Sequence, residues 1–212
     1  MRNRIANLRW GTLLALMVAA FVLIPFAGAS HILEIAGLAL FELIVVGAIF
    51  MSVENARIRA AGGALTLIWF VLSLASVWDF QIDGVLASLS TLLVSGALLA
   101  TFRILMRRGR GDLDTLLGAI FGYLLLGLTW ALLYVHIDLW QPGAFALPEG
   151  SEVWSSMLYY SLVTLTTVGY GDITPLSPAA RMAAGFEAVV GVLYIAVMVG
   201  SIVGNLRSAP PE

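Results

Sequence analysis

Residues Ser151–Asp172 read SEVWSSMLYYSLVTLTTVGYGD, and the two ends of this stretch obey different rules. From Ser151 to Leu165 the residues are amphipathic and helix-compatible, but at about 1.5 Å of rise each they cannot cross a ~30 Å hydrocarbon core. This half-helix is expected to dip into the membrane and return. Beyond it, Thr166-Thr167-Val168-Gly169-Tyr170-Gly171-Asp172 sets two glycines two residues apart, and glycine enters left-handed backbone regions cheaply. Non-helical backbone at membrane depth is tolerated only where protein or a water-filled cavity surrounds it. The stretch therefore asks for a membrane protein that encloses it.

The flanking sequence agrees. The chain has 212 residues, of which 60% are hydrophobic and only 11% charged, and its mean hydropathy is +0.97. A soluble domain is roughly a quarter charged, so composition places this chain in the membrane class. The absence of cysteine excludes disulfides and thiol chemistry. Apolar runs long enough to cross a bilayer lie at about Trp10–Ala29, Ile32–Val53, Ala61–Trp78, Gly84–Phe102, Thr115–Val135 and Met182–Leu206. Glu34 and Glu42 interrupt the second and Glu187 the sixth. All basic residues are arginine. Arg2, Arg4, Arg9, Arg57, Arg59, Arg103, Arg107, Arg108, Arg110 and Arg207 fall on one side of these spans, which the positive-inside rule makes cytoplasmic, and Arg181 alone falls opposite. Both termini are then cytoplasmic. The first run, followed by Ala27-Gly28-Ala29-Ser30, shares features with a secretory signal; it is longer than a signal's apolar region and is read as a retained span.

Thr166–Asp172 resembles the signature of the potassium channel superfamily, here of the bacterial six-transmembrane type with a voltage-sensor-like but arginine-poor fourth helix. The resemblance covers about residues 112–207. It implies that four copies pair Thr167-Val168-Gly169-Tyr170-Gly171 around one axis, with K⁺ bound at Thr167, Val168, Gly169 and Tyr170, and with Thr166, Gly171 and Asp172 as filter support. The physics is consistent with this. An ion entering a narrow pore must exchange hydration for oxygen atoms, and backbone carbonyls supply them without a full charge that would trap it. Extended backbone at about 3.3 Å per residue lets the five residues cover about half the core, and a half-helix directs its negative end toward the remaining cavity.

By the same matching, Gly191 falls at the hinge of the pore-lining helix, and Val199 and Val203 resemble the inner constriction. Tyr159 and Tyr160 stand where many members brace the filter with two tryptophans, and Val163 where some bacterial members carry a glutamate. No proline follows Gly191 in the sixth span, so a proline-kinked gate is not implied.

The expected fold is an all-α membrane protein: a four-helix peripheral domain over residues 1–110, a pore domain over 111–207 with re-entrant helix, and a disordered tail over 208–212. The expected function is passive K⁺ conduction through a homotetramer in the cytoplasmic membrane. Voltage sensing is expected to be weak, because Gly84–Phe102 contains no arginine to move in the field. A voltage- or pH-modulated channel is the alternative. No cofactor, nucleic acid or separate ligand-binding domain is expected, and the inner arginines are candidate contacts for anionic lipid. An intramembrane aspartyl protease would share Gly169-Tyr170-Gly171-Asp172, but it needs a second membrane-embedded aspartate to share a proton, and Asp79, Asp83, Asp112, Asp114 and Asp138 all fall at helix ends or in loops. Glu187 is expected behind the filter, either bracing the pore helix through Ser161, Thr164 or a group on the fifth span, or taking up a proton. Glu42, in mid-span, is either functional or hydrogen-bonded to a neighbour such as Ser73 or Ser95. His31 and His136 read as solvated, and Trp10, Trp78, Trp140 and Trp154 as interfacial anchors.

Overall fold

The computed structural model describes residues 9–23, 31–53, 55–76, 83–108, 112–200 and 204. Eight elements carry the fold among them, apart from a two-residue strand pair. They are α1 (Arg9–Leu23), α2 (His31–Ser52), α3 (Ala56–Ser76), α4 (Asp83–Arg108), α5 (Leu113–Trp140), α6 (Val153–Leu165), α7 (Pro178–Leu193) and a π-helical turn, Tyr194–Val199, that continues α7. The protein is an all-α membrane protein. Windows in α2, α3, α4, α5 and α7 are long and apolar enough to cross a membrane, and α1 is apolar but shorter over its described residues.

The helix starts are written locally. Asp112 caps α5 by accepting from Thr115 N at 2.7 Å, Glu152 caps α6 through Ser155 N at 3.0 Å, and Ser177 caps α7 through Ala180 N, with Pro178 in the first turn. Each side-chain oxygen satisfies a backbone N–H that the helix leaves unpaired. Asp114 accepts from Trp10 N at 3.0 Å, so a carboxylate on α5 caps the start of α1. The basic end of α4 differs from the sequence expectation. The fourth apolar run ends at Phe102, whereas the helix continues through Arg107 to Arg108, as arginine is a good helix former.

One buried apolar cluster runs from Trp10, Leu13 and Met17 of α1 through Ile44, Trp69 and Val94 to Phe121, Leu125 and Leu165. Trp10 is fully buried rather than interfacial. Its ring lies 5.8 Å from that of Phe121, and it fits because Gly118 has no Cβ, which would stand 2.9 Å from Trp10 Cγ. Of the peripheral helices, α1 and α4 thus pack on α5 of the same chain, with α2 and α3 packed on them and on each other. His136 is half-buried instead of solvated: Nδ1 lies 2.8 Å from Leu132 O and Nε2 3.3 Å from Ser88 Oγ, bridging α5 to α4. Arg2, Arg4, Trp78, Asp79, Arg110, Val203, Arg207 and the 208–212 tail lie outside the described residues.

Candidate functional site

The site is built on α6, which rests against both α5 and α7. Where α6 ends, its carbonyls meet the amides of the next segment. Thr166 N donates to Leu162 O at 3.1 Å, Thr167 N to Thr164 O at 2.9 Å, and Val168 N to Val163 O at 3.0 Å. The N–H groups of Thr166 to Val168 are therefore turned back onto the helix. Among the described residues no hydrogen bond ends on the carbonyls of Thr167, Val168, Gly169 or Tyr170.

The backbone alternates. φ is +58° at Thr167, +57° at Gly169 and +78° at Gly171, with Val168 and Tyr170 between them outside the positive region. Alternation of hand turns successive carbonyls toward the same side of an extended chain. The glycines were legible as its carriers, but Thr167 was not. A β-branched residue at positive φ is a genuine outlier, costing on the order of 1–3 kcal/mol, and such strain collects at functional sites. Thr166, Thr167, Gly169, Gly171 and Asp172 are exposed, as are Val168 and Tyr170, so this subunit leaves the segment open along its length. Beside Thr167, a cleft of about 340 Å³ is lined by Ala188, Val189, Val192 and Leu193 of α7.

The outer end is tied down twice. Tyr159 Oη donates to Asp172 Oδ2 at 2.7 Å, and that hydrogen bond holds the Tyr159 phenol above its ordinary range. Tyr160 instead turns inward, its ring 5.0 Å from Tyr134 and 5.4 Å from Phe145, both edge-on. The chain beyond Asp172 is fastened by a short antiparallel pair, β1 (Phe145–Ala146) with β2 (Thr174–Pro175), and Arg181 Nε donates to Pro175 O at 3.1 Å. This strand pair had no signal in the sequence, because two residues are too few for a period.

Glu187 is fully buried behind α6. Tyr134 Oη of α5 donates to its Oε2, and Ser161 Oγ of α6 lies 2.5 Å from its Oε1. Ser161 Oγ also lies 2.7 Å from Gly127 O, so three helices converge on one carboxyl group. Ser161 has one proton and cannot donate to both neighbours. It donates either to Glu187 Oε1 or to Gly127 O. Of the expected partners Ser161 is present, and the fifth-span group is Tyr134.

Gly191 lies inside α7, and the structure shows why glycine stands there: a Cβ would run into the carbonyl oxygen of Leu165, the last residue of α6. That carbonyl also accepts from Tyr123 Oη at 3.0 Å. Val163, at a position where a glutamate was conceivable, contributes only its backbone, accepting from Val168 N. Val199 ends the π-helical turn, and Val203 is outside the described residues. Glu42 Oε2 has no hydrogen-bond partner among the described residues, and the neighbouring Thr66, which the sequence had not singled out, donates its hydroxyl to Gly63 O at 2.9 Å. Tyr123 and Tyr194 were missed as well; a tyrosine on an apolar span carries no pattern that separates it from core.

Residues 118–208 match the family described as ion channel. The chain is similar to potassium voltage-gated channel protein shk-1 of Caenorhabditis elegans, 49% identical over 23% of this chain and 9% of that one. It is similar to human potassium voltage-gated channel subfamily A member 10, 32% identical over 43% of this chain and 17% of that one. To the voltage-gated potassium channel Kch of Escherichia coli (strain K12) it is 31% identical over 50% of this chain and 24% of that one. The chain thus spans at most about a quarter of the length of these relatives.

Proposed function

We propose that this chain, of which residues 118–208 match the family described as ion channel, is a subunit of the potassium channel superfamily, not an enzyme, that conducts K⁺ passively through a homotetrameric pore. The observation that carries this is the alternating backbone at Thr167, Gly169 and Gly171, with the amides of Thr166 to Val168 turned onto α6 and the carbonyls from Thr167 to Tyr170 left without partners among the described residues. Free carbonyls on one side of an extended chain are what a dehydrated cation needs. One such strand offers only one wall, and the exposure of Val168 (52%) and Tyr170 (71%) marks surface that further copies would cover. Four copies close the ring.

In this reading Thr167, Val168, Gly169 and Tyr170 bind the ion, and Thr166, Gly171, Asp172, Tyr159, Tyr160 and Glu187 hold the filter's shape. The apolar cleft beside Thr167 becomes part of the inner cavity, with Gly191 and, further along, Val199 and Val203 shaping its exit. No cofactor is required; K⁺ is the cargo. The pore domain begins near residue 111, and of the four preceding helices α1 and α4 sit against their own subunit's α5. The subunit spans the cytoplasmic membrane with both termini inside, and the arginines at the inner ends of α3 and α4 face anionic lipid. Voltage dependence is weak, since Arg103 and Arg107, at the end of α4, are exposed and no arginine lies deeper in that helix.

The test is direct. Purified protein in liposomes should pass K⁺ in strong preference to Na⁺, read from reversal potentials under mixed-ion conditions. Equal permeability would sink the proposal.

A further inference from the structure

Tyr194 opens the π-helical turn, and its buried side chain leaves the pore-lining helix altogether. Its hydroxyl donates at 2.9 Å to Ala119 O, a carbonyl in the first half of α5. It reaches that carbonyl through a notch. A Cβ on Gly122 would stand 2.5 Å from Tyr194 Oη, 3.6 Å from its Cζ and 3.7 Å from Thr101 Cγ2 of α4. The pore-lining helix, α5 and the last peripheral helix thus meet at one point where α5 contributes no side chain. Thr101 is fully buried there and its hydroxyl has no hydrogen-bond partner among the described residues, so packing rather than polar bonding holds it.

The other face of Tyr194 leads to the filter. Its ring centroid is 5.5 Å from that of Tyr123, and Tyr123 Oη donates to Leu165 O. Leu165 is the last residue of α6, one residue before the segment whose amides fold back onto that helix. Close-packed side chains transmit displacement instead of absorbing it. From Tyr194 onward the helix changes to π-type hydrogen bonding, departing from the regular i→i−4 ladder of α7.

We propose that Tyr194 and Tyr123 are positioning residues joining the four-helix unit to the base of the filter: a shift of α4 against α5 at Thr101 moves Tyr194, and through Tyr123 it moves the Leu165 carbonyl. This inference rests on the channel reading above. It gives the arginine-poor peripheral unit a mechanical route to the pore that needs no gating charge and does not pass through the connection between α4 and α5.

The test uses the full chain, read in two ways: melting temperature in detergent, and single-channel open-to-closed ratio in a bilayer. Gly122→Ala should lower the melting temperature, because the new methyl meets the Tyr194 hydroxyl, although alanine is otherwise the better helix former. Tyr194→Phe removes the colliding oxygen, so adding Gly122→Ala to Tyr194→Phe should carry no further loss. A raised melting temperature for Gly122→Ala alone, or a full loss in the double variant, would overturn the notch. In the bilayer, Tyr123→Phe and Tyr194→Phe should combine non-additively, by about twofold or more in the open-to-closed ratio, as expected of residues in contact. Thr101→Leu, which adds bulk from α4, should shift that ratio while Tyr194 is present and not in Tyr194→Ala. Additive effects, or a Thr101→Leu shift that survives loss of Tyr194, would overturn the route while leaving a K⁺-selective wild type intact. A wild type that passes no K⁺ would defeat the channel reading itself, and the melting temperatures would still judge the notch.

Discussion

Replacing Glu187 tests whether the buried carboxyl holds the filter by its hydrogen-bonding shape. The side chain takes the Tyr134 hydroxyl on one oxygen and meets Ser161 on the other, with no exposure. Glu187→Val strips both hydroxyls of this partner. A buried polar group left unsatisfied costs about 1–3 kcal/mol. Ser161 can still turn to Gly127 O at 2.7 Å, so the full penalty falls on Tyr134, and Ser161 loses one bond worth about 0.5–1.5 kcal/mol. The sum is about 1.5–4.5 kcal/mol before any cavity term. For a chain of this size that is a fall of at least about 3 °C in melting temperature, accompanied by loss of tetramer on size-exclusion chromatography. Glu187→Gln keeps the shape: its carbonyl accepts from Tyr134, and its amide donates to Ser161, which passes its proton to Gly127. This variant should melt within about 1 °C of wild type and conduct, since no group loses its partner. The assay is thermal unfolding of detergent-solubilised protein beside liposome flux. Equal damage in Gln and Val would mean that negative charge, not the bonded shape, is what the site needs. A Val variant as stable as wild type would refute the bracing argument.

Gly169→Ala should abolish selective current, because φ is +57° there and an added Cβ opposes the left-handed conformation; normal reversal potentials in this variant would place the filter elsewhere. Gly191→Ala puts a methyl into the Leu165 carbonyl, and overpacking against backbone, at about 1–3 kcal/mol, should outweigh the roughly 1 kcal/mol that alanine returns to a helix; a higher melting temperature would show that α7 can move away freely. Arg103→Gln should leave the conductance–voltage relation as shallow as in wild type, and a steep wild-type curve that flattens on this change would reinstate α4 as a sensor.

Much of this protein was decided by pattern alone. Apolar run length and charge placement determined the spans, since a bilayer accepts only helices of sufficient length whose backbone bonds are met internally. The shortness of Ser151–Leu165 determined the half-helix, and the two glycines at 169 and 171 determined where the backbone would reverse hand. These are local properties, written in consecutive residues. What needed the tertiary structure was every feature made by residues far apart in sequence. Thr167 takes a positive φ with its own amide held by Thr164 O and the next amide, Val168 N, held by Val163 O on the preceding helix, constraints that override its own steric preference. Trp10 is core, not anchor, because Gly118 leaves it a place on α5. Glu187 is bonded because Tyr134 and Ser161 arrive from two other helices. Gly191 and Gly122 were available as glycines in the sequence, yet nothing there says what approaches them; the Leu165 carbonyl and the Tyr194 hydroxyl do so only once three helices are packed. Spacing determines which face of a helix a residue occupies, but the neighbour on that face is chosen by how the helices cross.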